Sequence, residues 1–235
     1  YYYCGNHAGM GGQINLTSPS GLSFSQDSPS QPNSIKFSGD SSLIVSTDGY
    51  SHSTDLINAL IKPEWSVGMW GKLDPITGSD GVGFSSESGV SGWVQDQCLF
   101  DFGLYTGMFV ESGKKFVVSG VTGQCFGNNK VLESKTGFNP TGWNHYALGR
   151  NDTDLTLFIN GEKQDSLSPN ISAPSTLGSA GARFTLDATG SFYSIGSIRN
   201  QRNFLSGKID DLIFYGMAYY NRDGFTPEKS YSTGA

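Results

Sequence analysis

The sequence predicts an all-β chain folded as a sandwich or jelly roll, and three stretches in its second half carry that prediction. They are the run Trp-Asn-His-Tyr-Ala-Leu-Gly-Arg at 143–150, the hairpin Leu-Thr-Leu-Phe-Ile-Asn-Gly-Glu-Lys at 155–163, and the closing run Gly-Lys-Ile-Asp-Asp-Leu-Ile-Phe-Tyr at 207–215. In the hairpin, Leu155, Leu157 and Ile159 alternate with Thr156 and Phe158, the period of a strand with two distinct faces. Asn160-Gly161 follows, and both residues tolerate the positive φ that a two-residue hairpin turn demands.

Taken in order, residues 1–32 hold no sustained period and run through Gly-, Ser- and Pro-rich stretches. They read as an irregular arm that lies on the domain or reaches a neighbouring subunit. One domain is expected over 33–222 and a tail over 223–235. Its first strand pair has Ile35 and Phe37 alternating with polar residues, a turn at Gly39-Asp40, and a return through Leu43-Ile44-Val45. Thr54 to Lys62 reads as a short helix with Leu56, Ile57, Leu60 and Ile61 on one side, stopped by Pro63. From Trp65 the pattern is strand after strand: Trp65, Val67 and Met69 share one face, and Ser66, Gly68 and Trp70 take the other. Further strands are predicted over 98–102, 105–110, 115–119, 143–148, 155–159, 184–186, 192–198 and 209–215, most of them separated by Gly, Asn, Asp or Pro. Many short strands with almost no helical period point to a sandwich or jelly roll. No repeat of about 20–50 residues is visible, which argues against a propeller or solenoid.

A chain of 235 residues suits one large all-β domain, and 15 Phe, 11 Tyr and 4 Trp can fill its core. The net charge is −6 and no basic run occurs, so a nucleic-acid partner is not expected. No apolar stretch is long enough to cross a bilayer as a helix, so membrane insertion of that kind is not expected either. An acidic, sparsely charged chain rich in Gly, Ser, Thr and Asn leans towards an extracellular or particle-surface setting. The start, Tyr1-Tyr2-Tyr3, reads as a processing site or a cut from something longer. Asn15, Asn151 and Asn170 sit in glycosylation sequons, which occur by chance in so polar a composition. Cys4, Cys98 and Cys125 leave two readings open. Either all three are isolated or buried thiols, or Cys98 and Cys125 form a disulfide across neighbouring strands, with Cys4 free or linked to another chain. No Cys-x-x-Cys spacing is present.

Five phrases, in order, are similar to the laminin-G-like jelly rolls of the concanavalin-A-like lectin/glucanase superfamily. They are FSGDSSLIV, WSVGMWGKL, WNHYALGRN…LTLFINGEK, SIGS and LSGKIDDLIFYGMAYY. The resemblance spans roughly residues 33–222, and the last three phrases are its most specific part. It implies two curved antiparallel sheets, a glycan or protein ligand at a rim or on the concave face, and often Ca²⁺. The stretches 71–92 and 167–182 are not family motifs.

Candidate sites follow, each weighed against a structural role. For Ca²⁺, an ion that takes several oxygen ligands, the candidates are Asp40, Asp48, Asp80 and above all Asn151, Asp152 and Asp154 before the hairpin. The same Asn-Asp-Thr-Asp string is also an ordinary Asx-rich turn. For stacking on a sugar ring, Trp70, Trp93 and Tyr105 are the aromatics least obviously used by the core. Asp210 matches the family's closing-strand Asp and, by alternation with Leu212 and Phe214, is expected to point inward and pin a loop. His145 matches a packed family position and is expected to be structural. His7 and His52 sit in polar loops without an identified partner. No strand carries the Glu-x-Asp-x-x-Glu of sandwich glycosidases, nor is there a Gly-x-Ser-x-Gly, His-Glu-x-x-His or phosphate-loop motif. The expected function is a non-catalytic binding module for a glycan or protein. The alternatives are a structural surface subunit of an assembly such as a virion, fibre or cell coat and, behind it, a glycan-cleaving enzyme.

Overall fold

The computed structural model describes residues 2–3, 11–12, 21–29, 33–46, 64–75, 97–101, 107–110, 116–119, 130–135, 138–151, 154–167, 192–197, 203–220 and 223–228. Its strands in chain order are β1 (Tyr2–Tyr3), β2 (Gly11–Gly12), β3 (Leu22–Ser25), β4 (Ser34–Ser38), β5 (Leu43–Ser46), β6 (Trp65–Leu73), β7 (Gln97–Asp101) and β8 (Gly107–Val110). They continue as β9 (Phe116–Ser119), β10 (Lys130–Glu133), β11 (Asn144–Asn151), β12 (Asp154–Ile159), β13 (Glu162–Leu167), β14 (Phe192–Ile195) and β15 (Ser206–Tyr215). One sheet runs β13-β12-β11-β6-β15-β4-β3 and the other β10-β9-β8-β7-β14-β5, with β1 and β2 forming a small separate pair. Every pairing in the two large sheets is antiparallel. This is the predicted two-sheet antiparallel β-sandwich of the jelly-roll kind.

The core lies between the sheets and follows the alternation read from the sequence. Trp65, Val67 and Met69 of β6, Tyr146 and Leu148 of β11, and Leu155, Leu157 and Ile159 of β12 face Phe100, Met108, Val110, Phe116 and Ile195 of the second sheet. Each large apolar side chain removed from water this way contributes about 1.5–3 kcal/mol against the entropy of ordering the chain. The turn between β12 and β13 forms as predicted, with Asn160 at φ 52 and Gly161 at φ 82.

Three expectations change. The segments 34–38 and 43–46 are not a strand pair: β4 pairs with β3 and β15, whereas β5 pairs with β14 in the opposite sheet. Gly39, at φ 88 and bonded from its N–H to the Leu205 carbonyl at 2.9 Å, carries the chain across the sandwich instead of folding it back. Second, the expected irregular arm contains a strand of the sheet, since β3 lies within residues 1–32 and pairs with β4. Third, alternation fails along β15. A bulge between Asp210 and Ile213, with Asp211 at φ 45, swaps the faces of the strand. Leu212 and Phe214 therefore pack on the core, while Asp210 shares the outer face with its cross-strand neighbour Trp70. The predicted helix at 54–62 and strand at 184–186 lie outside the described residues.

Candidate functional site

The outer face of the seven-stranded sheet holds the richest chemistry among the described residues. β11 places His145 there, and the hairpin turn holds it. The His145 N–H donates to Asn160 Oδ1 at 2.9 Å, the Asn160 N–H returns a bond to the His145 carbonyl at 2.8 Å, and Asn160 Nδ2 reaches Asn144 Oδ1 at 3.0 Å. Trp70, Tyr220 and Phe225 approach the imidazole edge-on with ring centroids 5.3, 5.9 and 5.6 Å away. His145 is fully buried, and burial pushes its pKa down to about 3, so it is neutral at physiological pH. This is the structural histidine that the sequence predicts.

What covers the face is the chain returning after β15. The Tyr219 N–H donates to Ser66 Oγ at 3.0 Å, and Ser66 Oγ donates to the Met217 carbonyl at 3.2 Å. Gly68 leaves the space that Tyr220 fills: a Cβ there would stand 1.9 Å from the Tyr220 hydroxyl. Further along, the Phe225 N–H bonds to the Gly161 carbonyl at 2.9 Å, and Trp70 Nε1 donates to the Glu228 carbonyl at 3.1 Å. Ala147, Phe158, Ile213, Tyr215 and Tyr220 form a second apolar cluster beneath this segment, with Phe225 packed against it.

The same segment presents the exposed aromatic that a binding surface needs. Tyr219 stacks on Tyr215 with ring centroids 3.9 Å apart and planes 5° from parallel, yet remains 42% exposed. Its hydroxyl lies 3.3 Å from Glu228 Oε1, and burial, helped by that carboxylate, raises its pKa. Met217 beside it is also exposed. Adjoining this ledge is a small, shallow depression with room for about one water molecule, lined by Gly149, Arg150, Asn151, Thr156 and Phe158 of β11 and β12 and by Ala218 and Tyr220 of the closing segment. Asn151, one of these lining residues, pairs across the β11–β12 hairpin with Asp154. A rigid aromatic face beside amide, hydroxyl and carboxylate groups can stack on a sugar ring and hydrogen-bond its hydroxyls.

On the other half of this face, residues 26–29 cross the sheet. Asp27 accepts from Lys208 Nζ at 2.6 Å, Lys72 Nζ at 2.9 Å and Trp143 Nε1 at 2.9 Å, and the three donors hold its carboxyl well below the usual carboxylate range. Ser34 Oγ bonds to the Asp27 carbonyl at 2.7 Å, and Ser28 Oγ donates to Asp210 Oδ2. Asp210 thus pins a loop as expected, although from the opposite face.

The sequence-predicted site residues fare unevenly. Trp70 is 7% exposed, its indole closed in by His145 and the 225–228 segment, so it offers no face to a sugar. Trp93 and Tyr105 lie outside the described residues. Asn151 and Asp154 come together at the end of the hairpin, while Asp152 lies outside the description. Cys98 carries a free thiol, and Cys125, its expected disulfide partner, lies outside the described residues. The Cys98 thiol is buried in β7, and desolvation, with the nearby Asp101 carboxylate, raises its pKa. Tyr219 was missed. Its signal was the Tyr219-Tyr220 doublet, since two successive side chains beyond a last strand do not both enter one core.

Comparison with known proteins places the fold. A laminin-G-type family model, described as the concanavalin A-like lectin/glucanases superfamily, matches residues 45–219. No curated protein matches the chain. Among solved structures, the chain is similar to the CBM40 of the Ruminococcus gnavus IT-sialidase bound to α2,3-sialyllactose. The TM-score is 0.50 at 15% identity, covering 79% of this chain and 90% of that one. It is also similar to domain 4 of AbnA, an extracellular arabinanase from Geobacillus stearothermophilus, in complex with arabinotriose. There the TM-score is 0.51 at 13% identity, covering 86% and 79% of the two chains. By the family match and the sandwich that bears it out, the chain belongs to the concanavalin A-like lectin/glucanase superfamily.

Proposed function

We propose that this protein is a non-catalytic, extracellular or particle-surface module that binds a glycan at the ledge formed by Tyr219, Met217 and the depression beside Asn151. The observation that carries the reading is the Tyr215–Tyr219 stack, which holds an exposed aromatic face rigid next to hydrogen-bonding groups. Preordering matters because a ring already fixed loses little entropy when a sugar stacks on it. Two further facts support it: similar sandwiches carry sialyllactose and arabinotriose, and the sequence has no paired-carboxylate strand for glycoside cleavage. In the same proposal Ca²⁺ sits at the hairpin end, held by Asn151, Asp152 and Asp154. The test is Tyr219→Ala against a saccharide that the native chain retains on a glycan array. Loss of about 10-fold in affinity with unfolding temperature little changed supports the site. Unchanged affinity in a folded variant moves the site elsewhere.

A second reading, a structural subunit of a larger assembly, draws on a separate observation. Phe24 is 59% exposed on β3, the edge strand of the seven-stranded sheet, where a neighbouring chain can add. A defined oligomer in solution that Phe24→Lys dissociates supports it, and a monomer at all concentrations counts against it.

A further inference from the structure

We propose that Glu228 sets the charge of the ligand: the ledge takes a neutral saccharide through a pair of donated hydroxyls and turns away sugars that carry a carboxylate or sulfate. The inference rests on the Tyr219 ledge as the binding surface and names the ligand class it accepts. Tyr219 and Glu228 stand at the two ends of the segment that crosses the outer face, and both are exposed. The Tyr219 hydroxyl donates to Glu228 Oε1 at 3.3 Å, at the edge of the ring that stacks on Tyr215. The backbone of Glu228 is held from behind. The buried Trp70 donates from Nε1 to the Glu228 carbonyl at 3.1 Å, and just before it the Phe225 N–H bonds to the Gly161 carbonyl at 2.9 Å. Pro227, next to Glu228, fixes its own φ and removes a further freedom. A group anchored in this way loses less entropy on meeting a ligand.

The donors and acceptors at this edge select the ligand. The Tyr219 proton is directed at Glu228, so the edge of the ledge offers a phenolic oxygen and two carboxylate oxygens, all of them acceptors. Burial, then this carboxylate, raises the Tyr219 pKa, so the phenol keeps that proton. Hydroxyls on adjacent carbons of a sugar are donors that a carboxylate takes in pairs, and bonds to an ionised acceptor are the stronger kind. A carboxylate or sulfate on the sugar has no proton to give, so it leaves these acceptors unmatched and brings like charges together. Asp223, exposed on the same segment, is negative as well, and among the described residues of 217–228 no cation offsets the two. Arg150, lining the adjoining depression, is only 2% exposed.

The test is a glycan array that holds neutral saccharides beside their sialylated, uronic-acid or sulfated counterparts, read for the parent, Glu228→Gln and Tyr219→Ala. The parent is expected to retain the neutral members about 10-fold or more tightly than their acidic counterparts. Glu228→Gln keeps the side chain's size, and the Trp70 bond goes to a main-chain carbonyl, so its unfolding temperature should match the parent's. It should lose about 5-fold or more on the neutral members and bring each matched pair to within about 3-fold. Acidic glycans retained as tightly as neutral ones, or a Glu228→Gln variant with both affinities unchanged, overturn the inference. Tyr219→Ala separates that failure from failure of the ledge. If it weakens retention of whichever glycans are bound, the ledge stands and only the neutral-sugar assignment falls. If it leaves retention unchanged, or the parent retains no glycan, the ledge is lost and this inference with it.

Discussion

His145 makes the fold sensitive to acid in a direction that can be worked out. In the unfolded chain its imidazole titrates near the ordinary 6.5, whereas in the folded sheet burial holds its pKa at about 3. Between those values the unfolded state binds a proton that the folded state refuses. The stabilisation is complete above about pH 6.5 and is lost as pH falls towards 3, at roughly 1.4 kcal/mol per pH unit. From pH 7 to pH 5 the loss is therefore about 2 kcal/mol from this residue alone. The assay is urea unfolding followed by tryptophan fluorescence at pH 7, 6 and 5. His145→Gln, which does not titrate, is measured alongside. Its stability at pH 7 is expected to be lower by about 1–3 kcal/mol, because the aromatic contacts are cut, but its loss from pH 7 to pH 5 is smaller than the parent's by about 2 kcal/mol. Other groups titrate alike in both chains and cancel in the comparison. Equal pH slopes in parent and variant, or a parent that loses less than about 0.5 kcal/mol, would refute the reasoning.

Three further outcomes are expected. Gly161→Val forces a branched residue to φ 82 and puts a Cβ 1.8 Å from the Phe225 carbonyl oxygen. It should cost about 3 kcal/mol or more, lowering the unfolding temperature by about 6–12 °C, and an unchanged temperature would contradict the turn. Asp27→Asn removes a carboxylate whose depressed pKa stabilises the fold above about pH 4, a contribution that fades as pH falls below that value. Allowing for solvent screening, the loss at neutral pH is about 1 kcal/mol by urea unfolding and shrinks in high salt; a salt-independent loss would point to another cause. Cys98, buried and with a raised pKa, should resist a thiol-alkylating reagent in the native chain and react in urea, as peptide mass mapping reports. Native labelling as fast as in urea would show that β7 is open.

The sequence is most legible where its signals are local. The β12–β13 hairpin was readable because alternation and an Asn-Gly turn lie within nine residues, and the structure needs both at once. Partners across the sandwich were not. The strands β4 and β5 look like a hairpin because nothing within them records that β14 and β15 belong to different sheets. Asp210 was set on the wrong face because one extra residue in β15 reverses the period, and Asp211 carries no unambiguous sign of that bulge. Trp70 illustrates the limit for the site. Alternation correctly put it opposite the core, but the residues that bury it arrive more than 150 positions later. Tyr219 is the converse, an aromatic beyond the last strand that stays 42% exposed although only the Tyr219-Tyr220 doublet singles it out from the aromatics of the core.

The most direct test of the central claim is a glycan-array screen of the purified chain, run in calcium and again in EDTA, with the solution mass recorded. The account predicts retention of a defined class of saccharide, weakened in EDTA and in Tyr219→Ala. No retained saccharide, together with a discrete oligomer, would contradict the glycan-binding reading and leave the sandwich as a subunit of an assembly.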